Sequence, residues 1–149
     1  MRAFVRAAFA AALVLLLSAP TIAADKAFKR DDLADGAIKL EAQIKAEAGQ
    51  VTKSAAALRR EADAAFQRND VHSGMRILGQ IVAVAPDDSA NWLRLARTVL
   101  QTWPSNYREK NLLLERAATA AYIAYQRSSH STEQAESLVV IARASTIRV

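Results

Sequence analysis

The sequence predicts an all-α protein: antiparallel helical hairpins stacked as a short solenoid, behind an N-terminal signal peptide. Three observations predict this. Residues 58–67 align with residues 92–101 at a spacing of 34, placing Ala62 over Ala96, Phe66 over Leu100 and Gln67 over Gln101. A fixed period in the thirties marks helical-repeat arrays. The composition is rich in Ala, Leu, Arg, Glu and Gln, which are strong helix formers, with only four Gly and three Pro in 149 residues. No alternating run of β-branched residues is long enough to form a sheet.

Residues 1–24 read as the signal peptide. Arg2 and Arg6 make a basic start, an apolar run extends from Ala7 to Leu17, and small residues precede Asp25. The apolar run is shorter than the roughly 20 residues that cross a bilayer. Cleavage is expected after Ala23 or Ala24, giving only a transient contact with the membrane through the signal peptide and a periplasmic or secreted product. The chain has no cysteine, which excludes a lipidated N-terminal cysteine and any disulfide. Without Arg2 and Arg6, 20 basic residues become 18 against 15 acidic ones, a net charge of +3. Both signs are scattered, so no nucleic-acid surface is expected.

Residues 25–53 read as an N-terminal linker and helix. The stretch from Asp25 to Arg30 is charged and reads as loose. Asp31 or Asp32 is placed to cap a helix that runs to about Ala48, with Leu33, Ala37, Leu40 and Ile44 as its apolar stripe and Gly49 as its stop.

Residues 54–149 read as the helical repeats, the last unit incomplete. Thr52 or Ser54 opens a helix to about Arg68, burying Leu58, Ala62, Ala65 and Phe66. Asn69 and Asp70 break it, because their side chains compete for backbone hydrogen bonds. Val71 to Val84 carries two apolar stripes and so is covered on two sides. Pro86 ends it. Asp87, Asp88 or Ser89 caps the next helix, which buries Trp92, Leu95, Ala96, Val99 and Leu100. Trp103 and Pro104 break that one. A longer helix from Tyr107 to Arg127 offers Leu112, Leu113, several alanines and Tyr125 for packing. After a Ser128–Ser131 loop, Thr132 opens a last helix. There residues 137–143 resemble residues 91–97 at an offset of 46, so the second unit carries 12 extra residues.

These features resemble the tetratricopeptide repeat over roughly residues 54–144. The likeness rests on Ala62, Phe66, Asn69-Asp70, Leu78, Ala85-Pro86-Asp87-Asp88, Trp92, Leu95 and Ala96. Glu61 stands where the pattern has leucine and Gly74 where it has alanine. The leader, residues 40–60, 91–97 and 112–122 also resemble the N-terminal region of exported bacterial alpha-2-macroglobulin-like proteins. That likeness implies the helical front piece of a protease-trapping protein, with later domains carrying the trap. No cysteine is present to make a thioester. The last unit lacks a second helix, which leaves Leu138, Val139 and Ile141 half exposed and implies a fragment or a docking end.

No catalytic, cofactor or metal site is expected. His72 and His130 stand 58 residues apart without ligand neighbours at metal spacing. Ser128, Ser129 and Ser131 beside His130 lack an orienting acid. Glu133 with Glu136, and Arg59 with Asp63, read as solvated groups on single helix faces. Tyr122 and Tyr125 are expected to divide between core and inner groove. In repeat arrays the inner helices line the binding surface. Asn91, Arg94, Arg97 and Gln101 are the polar positions of the best-formed inner helix, and Trp103 is an aromatic off the helical stripe. These five are the expected contacts to a protein or peptide partner, with no small-molecule substrate. The alternative expectation is a structural scaffold of the cell envelope.

Overall fold

The computed structural model describes residues 27–102 and 107–148. The expected signal peptide and Trp103 lie outside these residues. The described residues form six α-helices and no strand: α1 (Arg30–Ala48), α2 (Ala55–Gln67), α3 (Val71–Val84), α4 (Ser89–Gln101), α5 (Tyr107–Arg127) and α6 (Ser131–Ile147). No described helix is long and apolar enough to cross a membrane.

Local chemistry sets the helix ends. Ser54 Oγ accepts from the Ala57 amide at 3.3 Å and opens α2. Asn69 takes a left-handed φ of 59°, a conformation asparagine tolerates, and the chain turns there. Asp70 then caps α3 by accepting from the Ser73 amide at 3.0 Å. That bond holds its carboxyl below the ordinary aspartate range. Asp88 caps α4 through the Ala90 amide at 3.1 Å.

Two expected caps differ. Lys29 precedes α1 without a side-chain cap, and Asp31 and Asp32 fall inside the first turn. There they complement the positive end of the helix dipole rather than bonding its amides. His130, not Thr132, is the N-cap of α6, and its side chain makes no capping bond.

The core follows the apolar periodicity. Leu33, Ala37, Leu40 and Ile44 of α1 are buried, as are Leu58, Ala62 and Ala65 of α2, and Trp92, Leu95, Ala96 and Val99 of α4. α2 packs on α3, α4 on α5 and α5 on α6, while α4 also reaches α3 and α6. Helix α5 is the hub. Ala117, Ala118, Ala120, Ala121 and Ala124 are all fully buried, and small side chains let α1, α4 and α6 approach on different sides. Leu112 and Tyr125, expected to pack, are exposed; Leu112 lines an open groove beside Gly36, Lys39 and Leu40 of α1.

Helix α1 packs on α3 and α5 rather than on α2, its neighbour in sequence. Glu41 pairs with Arg127 at 2.8 Å and Glu47 with Arg116 at 3.0 Å. Of the stretch expected to be loose, Asp25 and Lys26 lie outside the described residues, and Phe28 is held in place. Phe28 donates its amide to Ser145 Oγ at 3.4 Å, and the Arg148 guanidinium stands 4.8 Å from its ring centre.

Two glycines of α3 predict opposite outcomes for one substitution. A Cβ on Gly74 would stand 2.3 Å from Phe66 Cε1, whereas a Cβ on Gly79 would meet nothing within 4 Å. Phe66 thus fills the space that a side chain at Gly74 would need. Gly79→Ala should stabilise by about 0.5–1 kcal/mol, the helix-interior cost of glycine. Gly74→Ala should destabilise by about 1 kcal/mol net, because displacing the ring outweighs the helix gain. Urea midpoints moving the same way for both would contradict this packing.

Candidate protein-binding grooves on helix α4

Helix α4 lies between two surface grooves. The larger, about 460 Å³, runs between α4 and α6. Its apolar floor includes Leu100, Val139, Val140 and Ile147, and its rim includes Arg97, Gln101, Glu136 and Arg143. The second, about 440 Å³, lies toward α2 and α3 and is lined by Phe66, Val71, Arg94, Thr98, Gln101 and Thr102. Gln101 lines both and is exposed.

Three of the expected contact residues therefore meet at grooves: Arg94, Arg97 and Gln101. Asn91 does not, being 6% exposed. Its Oδ1 accepts from Arg59 Nε at 3.2 Å, and its amide nitrogen is buried without a hydrogen-bond partner. An asparagine one position into the helical stripe reads as surface from sequence, yet Arg59 reaches over from α2 and encloses it.

The arginines are not free cations either. Arg94 pairs with Asp63 of α2 at 2.5 Å and lies 5.5 Å from the Phe66 ring centre. Arg97 pairs with Glu136 of α6. Arg59 pairs with Asp88 at 2.6 Å, not with Asp63 on its own helix. Residues read from sequence as paired or solvated along single helices thus bridge neighbouring helices. Each is half exposed and contributes at most about 1 kcal/mol. A charge reversal at Arg94 would cost part of the α2–α4 contact as well as any partner contact.

Glu133, in the first turn of α6, also bridges elements. Its Oε2 accepts from Ser89 Oγ at 2.6 Å and from Ser128 Oγ at 2.7 Å. The two hydroxyl bonds hold its carboxyl below the ordinary glutamate range, with Ser89 the larger cause. A depressed folded-state pKa contributes stability that is complete above the unfolded value and disappears as pH falls through the folded one. The part of the stability that this bridge contributes should therefore be complete above about pH 5 and decline as pH falls below about 4.3, the ordinary glutamate value. Glu133→Gln should make that fall shallower in urea titrations at pH 7 and pH 3; an unchanged fall would contradict the bridge.

Sequence reasoning missed the α6 side of the larger groove. Val139, Glu136 and Arg143 face α4, but the residues of α6 alone do not reveal which face meets it. Tyr122 and Tyr125 line neither groove; Tyr122 is buried, and its hydroxyl accepts from Gln126 Nε2 at 2.9 Å. Among the described residues, no group of three or more His, Asp or Glu side chains stands close enough to hold a metal ion. No family model, curated protein or solved structure matches the chain.

Proposed function

We propose that the chain is an exported interaction module without catalysis, built of tetratricopeptide-like hairpins, that holds a protein or peptide segment in the groove between α4 and α6. The observation that carries this is the groove itself. It joins an apolar floor to a polar rim and contains Arg97 and Gln101, positions picked out by the repeat register. The packing order supports the hairpin reading: α2 on α3, α4 on α5, and α4 touching both α3 and α6. The segment fitting this surface carries an apolar anchor for Val139 and Ile147 and an acid for Arg143, which has no ion-pair partner among the described residues. In this reading the module is the front piece of a macroglobulin-like protease-trapping protein, with the trap carried by other domains; the resemblance of residues 40–60, 91–97 and 112–122 supports it.

A second reading, an envelope scaffold docked through α6, is favoured by Leu138 and Val139, which are 51% and 56% exposed on adjacent positions. Sedimentation velocity separates the two. A monomer across micromolar concentrations fits a module with a free groove. Obligate association that Leu138→Arg abolishes fits the scaffold.

A further inference from the structure

A third cavity, about 330 Å³, lies on a different side of α4, among α1, α3 and α5. Its wall is apolar, formed by Ile44, Met75, Leu95, Val99 and Leu113. Gly79 completes it. The other described glycines have local reasons for lacking a side chain: Gly74 abuts the Phe66 ring, Gly36 faces Thr119 Oγ1 at 3.1 Å from a would-be Cβ, and Gly49 has a positive φ of 61°. Gly79 has none of these, for it sits inside α3, where glycine weakens the helix, and open space surrounds its would-be Cβ. What glycine leaves there is the cavity.

The rim carries Glu47, His72, Arg76, Gln80 and Arg116. Glu47 is bonded by Arg116, which holds its carboxyl below the ordinary glutamate range, and by Gln43 Nε2 at 2.7 Å. Those two charges cancel. Arg76 has no ion-pair partner among the described residues, so the mouth carries one uncompensated cation above an apolar well.

We infer that this cavity is a binding site for a small amphiphilic anion: an aliphatic or aromatic body in the well and one carboxylate on Arg76. The well is open to solvent on one side, and its volume of about 330 Å³ is room for a medium-length alkyl chain or two fused rings laid against the apolar wall. A hydrated inorganic anion gains nothing from the apolar wall, and an amphiphilic cation meets Arg76. Leu95 and Val99 face this cavity, whereas Arg97 and Gln101 face the grooves, so the site stands independently of the peptide-binding reading.

Decanoate, decanol and decyltrimethylammonium, each below its micelle concentration, are titrated into the purified protein by calorimetry, with amide shifts followed by NMR. Decanoate should saturate one site and shift the Gly79 amide. Decanol should bind at least fivefold more weakly, and the cation more weakly still. Arg76→Gln should bring decanoate down to the decanol level. Gly79→Leu should fill the well and lower decanoate affinity at least tenfold while the circular-dichroism spectrum is unchanged. If the leucine variant does not fold, Gly79→Ala, whose methyl enters open space, takes its place with an expected loss of at least twofold. Absent saturation, equal affinity for decanoate and decanol, or unchanged affinity in the Gly79 variants would overturn the assignment. Decanoate displaced by a groove-binding peptide would also overturn it, by placing the amphiphile in the other site.

Discussion

Trp92→Ala should lower unfolding free energy by about 3–5 kcal/mol, the range for truncating a buried large aromatic. Trp92 is 1% exposed at the start of α4. Its indole Nε1 donates to the Pro86 carbonyl at 2.6 Å, tying the helix start to the turn that ends α3. The Arg127 guanidinium lies 5.6 Å from its ring centre. Truncation therefore leaves a void and removes a bond across the α3–α4 junction. Because small domains hold only about 5–15 kcal/mol in all, this variant should lose a large share of its stability. Trp92→Phe separates the two causes. It keeps most of the apolar volume, and the Pro86 carbonyl keeps its bond from Arg127. Its loss should be about 1–2 kcal/mol in urea denaturation monitored by circular dichroism. Equal losses for the two variants would show that packing contributes little there.

Arg127→Ala should cost about 2–3 kcal/mol, more than an ordinary surface arginine. Its Nη1 donates to the Pro86 carbonyl at 2.6 Å and its Nη2 to Glu41 at 2.8 Å, so one side chain joins α1, the α3–α4 turn and the end of α5. Charge-assisted bonds contribute about 1.5–3 kcal/mol each when buried, and the 24% exposure of this side chain reduces that. Arg127→Lys should recover less than half of the loss, since one ammonium does not reproduce a planar fork reaching two acceptors. Trp92 and Arg127 share the Pro86 carbonyl, so their losses should not add. In the Trp92→Ala background, Arg127→Ala should cost about 1 kcal/mol more, because it removes the last donor to that carbonyl. Additive losses would mean that the two side chains act separately.

Much of the helical layout was legible because its causes are local. The stripe of Leu33, Ala37, Leu40 and Ile44 follows from helical period alone. Ser54, Asp70 and Asp88 cap because their oxygens stand beside unpaired amides a few residues on. What stayed illegible depends on which helix lies alongside. Nothing in α1 tells that Glu41 and Glu47 meet Arg127 and Arg116, 86 and 69 residues away. The burial of Asn91 depends on Arg59 arriving from α2. The repeat register selected Arg94, Arg97 and Gln101 because it fixes which face of α4 packs. It gave no sign that two of them are paired to neighbouring helices. The amphiphile cavity was equally hidden: an isolated glycine in a helix does not reveal whether a neighbouring ring or open space stands over it.

The groove between α4 and α6 is the centre of this account, and one titration tests it most directly. A peptide selected from a random library on the purified protein is labelled and its affinity measured by fluorescence anisotropy for the unaltered chain, Val139→Arg and Leu138→Arg. Both side chains are largely exposed, so neither substitution threatens the core. Val139 lines the groove and Leu138 does not. Val139→Arg should weaken binding at least about tenfold, or 1.4 kcal/mol, with Leu138→Arg within about twofold of the unaltered protein. Binding untouched by Val139→Arg, or lost only with Leu138→Arg, would contradict the groove as the binding site.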